Sequence, residues 1–373
     1  MCVVGTGPVS EKNVLLFSTR HSVSLYVPSQ ITQEDYMELV IRTKPIPIWR
    51  DPTSLSNVDL FVICVELNNV GVTREIDLTP MLEVSQLVRR FAHTGSTVII
   101  ESKVGVGVTR KFFTGVEVHC SYSPSQFNPD DSVDDITNKT TKLVGGMDEE
   151  SEVLAMQFYE TIYDTVIRTG SPEVAEAAVM LKSAQETVQE AFINEFSDFC
   201  DMVGLDVHKV IDATSVGHRE DPRVKLPWIG RRHDVDSKLL MTIPGLAWPI
   251  LSAASEQLIT RPSTSYKKIV DIYCSGNYDK LHKLAFLVVG LGTVVGSSDT
   301  KDSPVLDIIR HLELEGAAVT KYDMFVSRYS TLPELTYNSG RCKFDGILVM
   351  HPYMVSMWDD PTLRKHTTFF CRH

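Results

Sequence analysis

Three things are missing from this 373-residue chain: a paired-cysteine motif, a cluster of basic residues, and an apolar run long enough to span a bilayer. The seven cysteines, Cys2, Cys64, Cys120, Cys200, Cys274, Cys342 and Cys371, stand singly, which excludes a regularly spaced disulfide frame or zinc site and fits reduced thiols in the cytosol. Asp and Glu number 48 against 36 Lys and Arg, a formal charge of -12. Without clustered cations to track phosphates, nucleic acid is excluded as a partner. The most apolar stretch, Leu284 to Gly296, is short and broken by glycines, so no membrane partner is expected. The chain starts with strand-like Cys2-Val3-Val4, without a basic leader or cleavage site, and a cytoplasmic protein is expected.

What is present is a chain of 43% hydrophobic and 23% charged residues, enough to bury the cores of two or three domains. Two segments share one pattern: Cys2-Val-Val-Gly-Thr-Gly7 and Phe286-Leu-Val-Val-Gly-Leu-Gly292 are short apolar runs stopped by Gly-x-Gly. Each reads as a buried parallel strand turning tightly into a helix. Further strands are expected at Leu60 to Val65, Thr97 to Glu101, Val116 to Tyr122 and Gly346 to Met350. The alternation predicts an α/β fold of two Rossmann-like, doubly wound domains.

Between the halves, Ser171 as a cap, Pro172 at the first helical position and Gly204 at the stop bound a helix over 172–203. Its apolar residues Leu181, Val188, Phe192, Phe199 and Val203 recur at helical spacing, and a rod of roughly 48 Å suits a link between lobes and a pairing surface for a second subunit. The expected division is 1–150 for the N-terminal dinucleotide-type domain, 151–275 for the helical linker and dimerisation region, and 276–373 for the C-terminal domain. The segment 215–238 reads as an exposed loop.

In a dinucleotide-binding turn, two glycines let the backbone approach a pyrophosphate and a third lets helix pack on strand. Here Gly5, Gly7 and Ser10 hold those places. The acidic residue that should accept the ribose hydroxyls, at the end of Val23 to Val27, is Val27. Glu34 and Asp35 follow it but are expected on the next helix. Two readings stay open: NAD held by this turn, or an inherited fold in which NAD binding is weak or lost.

The segments Glu101-Ser-Lys-Val-Gly-Val-Gly-Val-Thr-Arg110, Tyr122-Ser-Pro-Ser-Gln-Phe-Asn-Pro-Asp130, Lys142-Leu-Val-Gly-Gly146, the helix with Asn194-Glu195, and Gly290-Leu-Gly292 leading to Asp302-Ser-Pro-Val-Leu306 occur in this order. Together they resemble the signatures of the UDP-glucose/GDP-mannose dehydrogenase family, most closely its UDP-N-acetylhexosamine members. The resemblance implies a family reaction in which NAD oxidises the C6 alcohol of a UDP-sugar to a carboxylate through a cysteine-bound thiohemiacetal. That route needs a thiolate, a lysine, an asparagine and carboxylates.

Position by position the resemblance finds other residues. The family glutamate falls on Ser125, its lysine on Val179, its asparagine on Ser183, and its cysteine on Asp234 within Arg231-Arg232-His233-Asp234-Val235-Asp236. No cysteine lies between Cys200 and Cys274. Lys182, one helical turn beyond Val179, is a substitute ammonium or a solvated lysine. Lys103 stands beside the nicotinamide position or points outward. His233, Asp234 and Asp236 are too close in sequence for a metal triad, so no metal is expected. Arg231 and Arg232 bind a diphosphate or close the site. Asn194 supports the site or bridges helices, as does Glu195. Gly290 and Gly292 hold the UDP part or form only a bend.

Three functions therefore compete. The first is a catalytically impaired homologue that binds a nucleotide sugar or a partner. The second is an active NAD-dependent UDP-sugar dehydrogenase with relocated groups. The third is a dimeric scaffold, a homodimer or a heterodimer with an active paralogue.

Overall fold

The computed structural model describes residues 1–5, 7–28, 46–65, 67, 69–70, 75–127, 131–214, 240–241, 246–292, 300, 303–331, 333–335, 342–351 and 367–369. The chain divides into two compact units, Met1–Ser183 with Lys238–Leu246, and Ala184–Ser237 with Ala247–His373. The boundary falls inside the long helix, between Ser183 and Ala184.

The first unit is built on a sheet whose strands run β1 Cys2–Gly5, β2 Ser24–Tyr26, β3 Ile48–Trp49, β4 Leu60–Cys64, β7 Thr97–Ile100, β8 His119–Tyr122, β9 Thr141–Gly146 and β10 Thr165–Arg168. A two-stranded antiparallel ribbon, β5 Asn69–Val70 and β6 Glu75–Ile76, stands apart. The spatial order is β10-β9-β8-β7-β4-β1-β2-β3. Strands β1, β2, β3, β4, β7 and β8 are parallel, and β9 turns antiparallel to β8. The order reverses at β1 and β4, the crevice at which open α/β sheets take ligands.

Its strands read as continuous apolar runs because both faces are covered. Helices α1 Pro8–Ser18, α2 Thr79–Phe91, α3 Val108–Phe113, α4 Val133–Lys139 and α5 Glu149–Tyr159 surround the sheet. One core gathers Val4, Phe61, Ile63 and Ile100 with α2 residues Met81, Val84 and Val88. The other packs Val3, Val62 and Ile99 against Phe17 of α1 and Phe158 and Tyr159 of α5. The period-two alternation along the strands puts successive side chains into alternate cores.

The long helix α6 spans Pro172–Val203, the bounds that its proline and glycine signals predict. Its apolar stripe is a different matter. Leu181, Phe192, Phe199 and Val203 are exposed, while Glu176, Ser183, Thr187, Glu190 and Asn194 are buried. Periodicity identified the helix but not the face that the chain covers.

The second unit holds the end of α6, α7 Val207–Thr214 and α8 Pro249–Cys274. Its parallel four-stranded sheet runs β12 Ala318–Tyr322, β11 Ala285–Val289, β13 Gly346–Val349 and β14 Thr367–Phe369. Helix α9 Pro304–Leu314 lays Val305, Ile308, Ile309 and Leu312 on it beside Ile269 and Val270 of α8. The sheet repeats the parallel strand ended by Gly-x-Gly, β11 running into Gly290-Leu-Gly292, so the α/β reading with two Rossmann-like halves is the observed fold.

Strand β8 begins at His119 rather than Val116, because residues 114–118 turn out of α3, with Gly115 at φ 73°. Among the described residues, no helix is long and apolar enough to cross a membrane.

Candidate functional site

The first glycine turn is packed from behind by β4. A side-chain carbon on Gly5, whose φ is 148°, would come within 2.1 Å of the Cys64 carbonyl oxygen. Only glycine fits there. Ser10 replaces the third glycine by donating its hydroxyl to that same carbonyl at 2.8 Å. It therefore serves as a helix-to-strand tie. Gly7 caps α1 at φ 88° without a side-chain hydrogen bond, and Pro8, at the first helical position, has no N–H to offer a phosphate.

Val27, at the end of β2, is buried, and its N–H donates to Trp49 O at 3.0 Å. It offers no acceptor to ribose hydroxyls. The first half fits the backbone bend of a dinucleotide site but not its sugar recognition, and no chemical step is assigned to NAD. Glu34 and Asp35 lie outside the described residues.

At the ends of β7 and β8 the structure assembles a polar cluster that motif reading missed. The Glu101 carboxylate, fully buried, accepts from Lys142 Nζ at 2.8 Å, from Asn13 Nδ2 of α1 at 2.6 Å, and from the hydroxyls of Tyr159 and Ser125. Lys142 also donates to the carbonyls of Ser123 and Pro124 at 3.3 and 3.2 Å. Its three ammonium protons are thus all placed. The ammonium also lies 4.4 Å from the centre of the Tyr159 ring, a cation–π contact.

Asn13 further donates to Cys64 Sγ at 3.2 Å. Burial pushes the Lys142 ammonium below its ordinary pKa, opposed by the attraction of Glu101. Burial, with Glu101 adding to it, holds the Tyr159 phenol and the Cys64 thiol protonated, well above their ordinary values. A visible signal existed in the sequence: charged residues end or enter otherwise apolar strands at Thr-Val-Ile-Ile-Glu101 and Lys142-Leu-Val.

Glu176 of α6 clasps the loop leading to α3, accepting from the Gly107 and Thr109 amides at 2.6 and 3.0 Å. Burial raises its pKa and those hydrogen bonds oppose the rise. Arg110 pairs with Glu173 at 2.6 Å. Lys103, in the same loop, is half-buried.

On α6, Val179 is half-buried, Ser183 buried and Lys182 exposed. Within the second unit Asn194 is fully buried and Glu195 exposed. Of the substituted family positions, Ser125 is joined to a charged network through Glu101. Arg231, Arg232, His233, Asp234, Asp236 and Asp302 lie outside the described residues.

The second glycine turn has another arrangement. Gly290, at φ 86°, has no room for a side chain, since an added carbon would lie 2.6 Å from His351 Cβ. The amides of Leu291 and Gly292 both donate to Asp323 Oδ2, at 2.7 and 3.1 Å, and Phe325 N donates to Oδ1 at 3.0 Å. Asp323 follows β12, the place of a ribose-binding acid in such a unit, yet it is fully buried and accepts from the glycine-turn amides after β11 and from Phe325 N. Burial pushes His351 down to about 3. Among the described residues no group of three or more His, Cys, Asp or Glu could hold a metal ion.

Two units of this kind define a two-domain Rossmann architecture, and solved structures share it. A Pyrococcus horikoshii structure described as a UDP-D-ManNAc dehydrogenase superposes with a TM-score of 0.79 at 19% identity, covering 99% of this chain and 94% of that one. A Staphylococcus aureus UDP-N-acetyl-mannosamine dehydrogenase gives 0.71 at 20% identity, covering 94% and 87%. No family model matches the chain.

By sequence its homologues are UDP-N-acetyl-D-mannosamine dehydrogenases and UDP-glucose dehydrogenases. It is 23% identical over 282 residues to a UDP-N-acetyl-D-mannosamine dehydrogenase of Methanococcus maripaludis, covering 73% of this chain and 64% of that protein. It is 23% identical over 297 residues to a UDP-glucose 6-dehydrogenase of Bacillus subtilis, covering 73% and 60%. The aligned part of this chain thus spans less than two thirds of either relative's length.

Proposed function

We propose that this nucleotide-sugar dehydrogenase homologue binds a UDP-sugar without carrying out the four-electron oxidation of a C6 alcohol to a carboxylate, and that NAD binding is weak or lost. The observation that carries the reading is the state of the thiols. Among the described residues, Cys2, Cys64, Cys120, Cys200 and Cys274 are buried and Cys342, in the second unit, is half-buried, and burial pushes the thiols of Cys2, Cys64, Cys120 and Cys274 up, Cys2 to about 12. A covalent aldehyde intermediate needs an accessible thiolate. The loop on which the family cysteine would fall carries none. Lys182, the candidate replacement base, faces solvent.

The test is an NADH-coupled assay across UDP-glucose, UDP-N-acetylglucosamine and UDP-N-acetylmannosamine, run beside thermal denaturation with the same ligands and with NAD. The reading expects no NADH and a raised melting temperature with at least one UDP-sugar, since binding to the native state adds stability. Steady NADH formation, abolished in Lys182→Ala, would establish the active alternative.

A second reading, a homodimer or a heterodimer with an active paralogue, draws on the exposed stripe of α6. Leu181, Phe192, Phe199, Met202 and Val203 are large apolar side chains left open to solvent. Groups of this kind mark association surfaces. Light scattering expects a mass of two subunits, and Phe192→Glu with Phe199→Glu should return a monomer.

A further inference from the structure

Helix α3 is six residues long, too short to hold itself in water, and its end groups need partners from elsewhere. Both ends are held by single side chains of other helices. At its start the buried Glu176 carboxylate of α6 accepts from the amides of Gly107 and Thr109. At its end the Arg89 guanidinium of α2 donates to the carbonyls of Phe112, Thr114 and Gly115 at 3.0, 3.0 and 3.3 Å. Arg110 with Glu173 adds an exposed pair, of small worth. A glycine with positive φ stands on each side of the helix, Gly107 at 84° and Gly115 at 73°.

The root of this segment is fixed. Ser102 N donates to Ile63 O at 3.1 Å, and Ser102 Oγ accepts from Val65 N at 2.8 Å. These bonds tie the exit of β7 to that of β4, beside the crevice where the strand order reverses. Beyond the root, closure has a gain and a cost. Val104 and Phe113 enter the core, whereas the Thr109 hydroxyl is buried without a partner among the described residues, a penalty that opening relieves. We infer that residues 103–114 form a strap beside the first crevice that opens as one unit ahead of the sheet, with Glu176 and Arg89 as its two latches. Each latch sets a charged group on backbone, so its bonds are stronger than neutral ones. Each is also one side chain, so losing either leaves the strap held at the other end only. Segments held by few contacts open with a free energy below that of the sheet they border.

The experiment is native-state amide hydrogen exchange of the intact protein without ligand, followed residue by residue, for wild type, Glu176→Gln and Arg89→Met. In wild type the amides of Gly107, Thr109, Lys111 and Thr114 should share one opening constant, about tenfold or more above that of the β7 amides. Glu176→Gln keeps the size of the side chain but offers one acceptor oxygen in place of two. It should speed exchange at all four amides by roughly ten- to a hundredfold, the worth of a hydrogen bond to a charged group, including Lys111 and Thr114, which bond within the segment, to Gly107 O and Arg110 O. Arg89→Met should speed the same four together, Gly107 and Thr109 included. The β7 amides should keep their wild-type rates in both variants. Acceleration confined to the end that each side chain touches would show two local ties and no strap. Acceleration spreading into β7 would show the whole first unit loosening, and would overturn the strap equally. No nucleotide enters the measurement, so either outcome leaves the nucleotide-sugar reading untouched.

Discussion

The two halves begin with the same element, an apolar strand stopped by Gly-x-Gly, and complete it in opposite ways. In the first half the turn is tied from behind, by Ser10 on the Cys64 carbonyl, and the strand-end acid is absent because Val27 stands there. In the second half the strand-end acid is present as Asp323, but it accepts from the amides of the Gly290-Leu-Gly292 turn on the neighbouring strand. One half lacks the group that would read a ribose, and the other has spent it. The fold therefore persists without a complete dinucleotide fingerprint in either half, since the strand-turn-helix start needs only close backbone approach and buried apolar strands. The polar groups at the two sheets also differ: a buried network of five side chains, Asn13, Glu101, Ser125, Lys142 and Tyr159, in the first half, and the Asp323 clasp on the glycine turn in the second.

The largest expected effect tests that inequality. Lys142→Met leaves Glu101 buried without its cation, and should lower the stability of the first half by about 3–5 kcal/mol. Adding Glu101→Gln removes the stranded charge and should recover most of the loss, because replacing both members of a buried pair is often neutral. Calorimetry of wild type, both single variants and the double variant measures the coupling. Additive losses would show that the pair does not act as a unit.

Next in size is the second half's clasp. Asp323→Ala leaves the amides of Leu291, Gly292 and Phe325 without their acceptor and should cost about 2–3 kcal/mol, with faster amide exchange confined to that turn. Unchanged exchange at Leu291 and Gly292 would mean that the turn holds itself. Asp323→Asn, which keeps an acceptor oxygen, should cost less.

The halves should also differ in acid. His351 is buried in the second half with its pKa pushed down to about 3 from an ordinary value of 6.5. The unfolded chain therefore takes up a proton that the folded chain refuses between those values. Stability is fully present above about pH 6.5 and falls as the pH drops toward about 3, by at most about 1.4 kcal/mol per pH unit from this group. His351→Gln should flatten that part of the melting-temperature profile in the second half. An unaltered slope would assign the acid sensitivity to other groups.

How much of this was legible in the chain depends on the kind of signal. The bounds of α6 were readable because Pro172 and Gly204 act locally, and the Gly-x-Gly strands because an apolar run ending in glycines permits few other structures. The Glu101 network was not, because its members, from Asn13 to Tyr159, come together only through tertiary packing, and no periodicity marks a polar residue as buried. Ser125 was singled out as a family position that had lost its acid. That a carboxylate stands behind it, from a different strand, is a property of the fold. On α6 the stripe of Leu181, Phe192 and Phe199 gave the helix, but the face covered within the chain carries Glu176, Glu190 and Asn194 instead.

The smallest effect sharpens the comparison of the turns themselves. If Ser10 is a tie that replaces close glycine packing, Ser10→Ala removes one neutral hydrogen bond and leaves the Cys64 carbonyl without that donor, a loss of about 1 kcal/mol. Ser10→Gly loses the same bond and also removes the side chain that fills the space between α1 and β4. It should therefore be at least as costly, although glycine is the usual residue of a dinucleotide fingerprint at this place. Chemical denaturation of the two variants decides the matter. Were Ser10→Gly more stable than wild type, the serine would be an imperfect substitute for the glycine, and the first turn would stand closer to a working phosphate cradle than its hydrogen bond to Cys64 indicates.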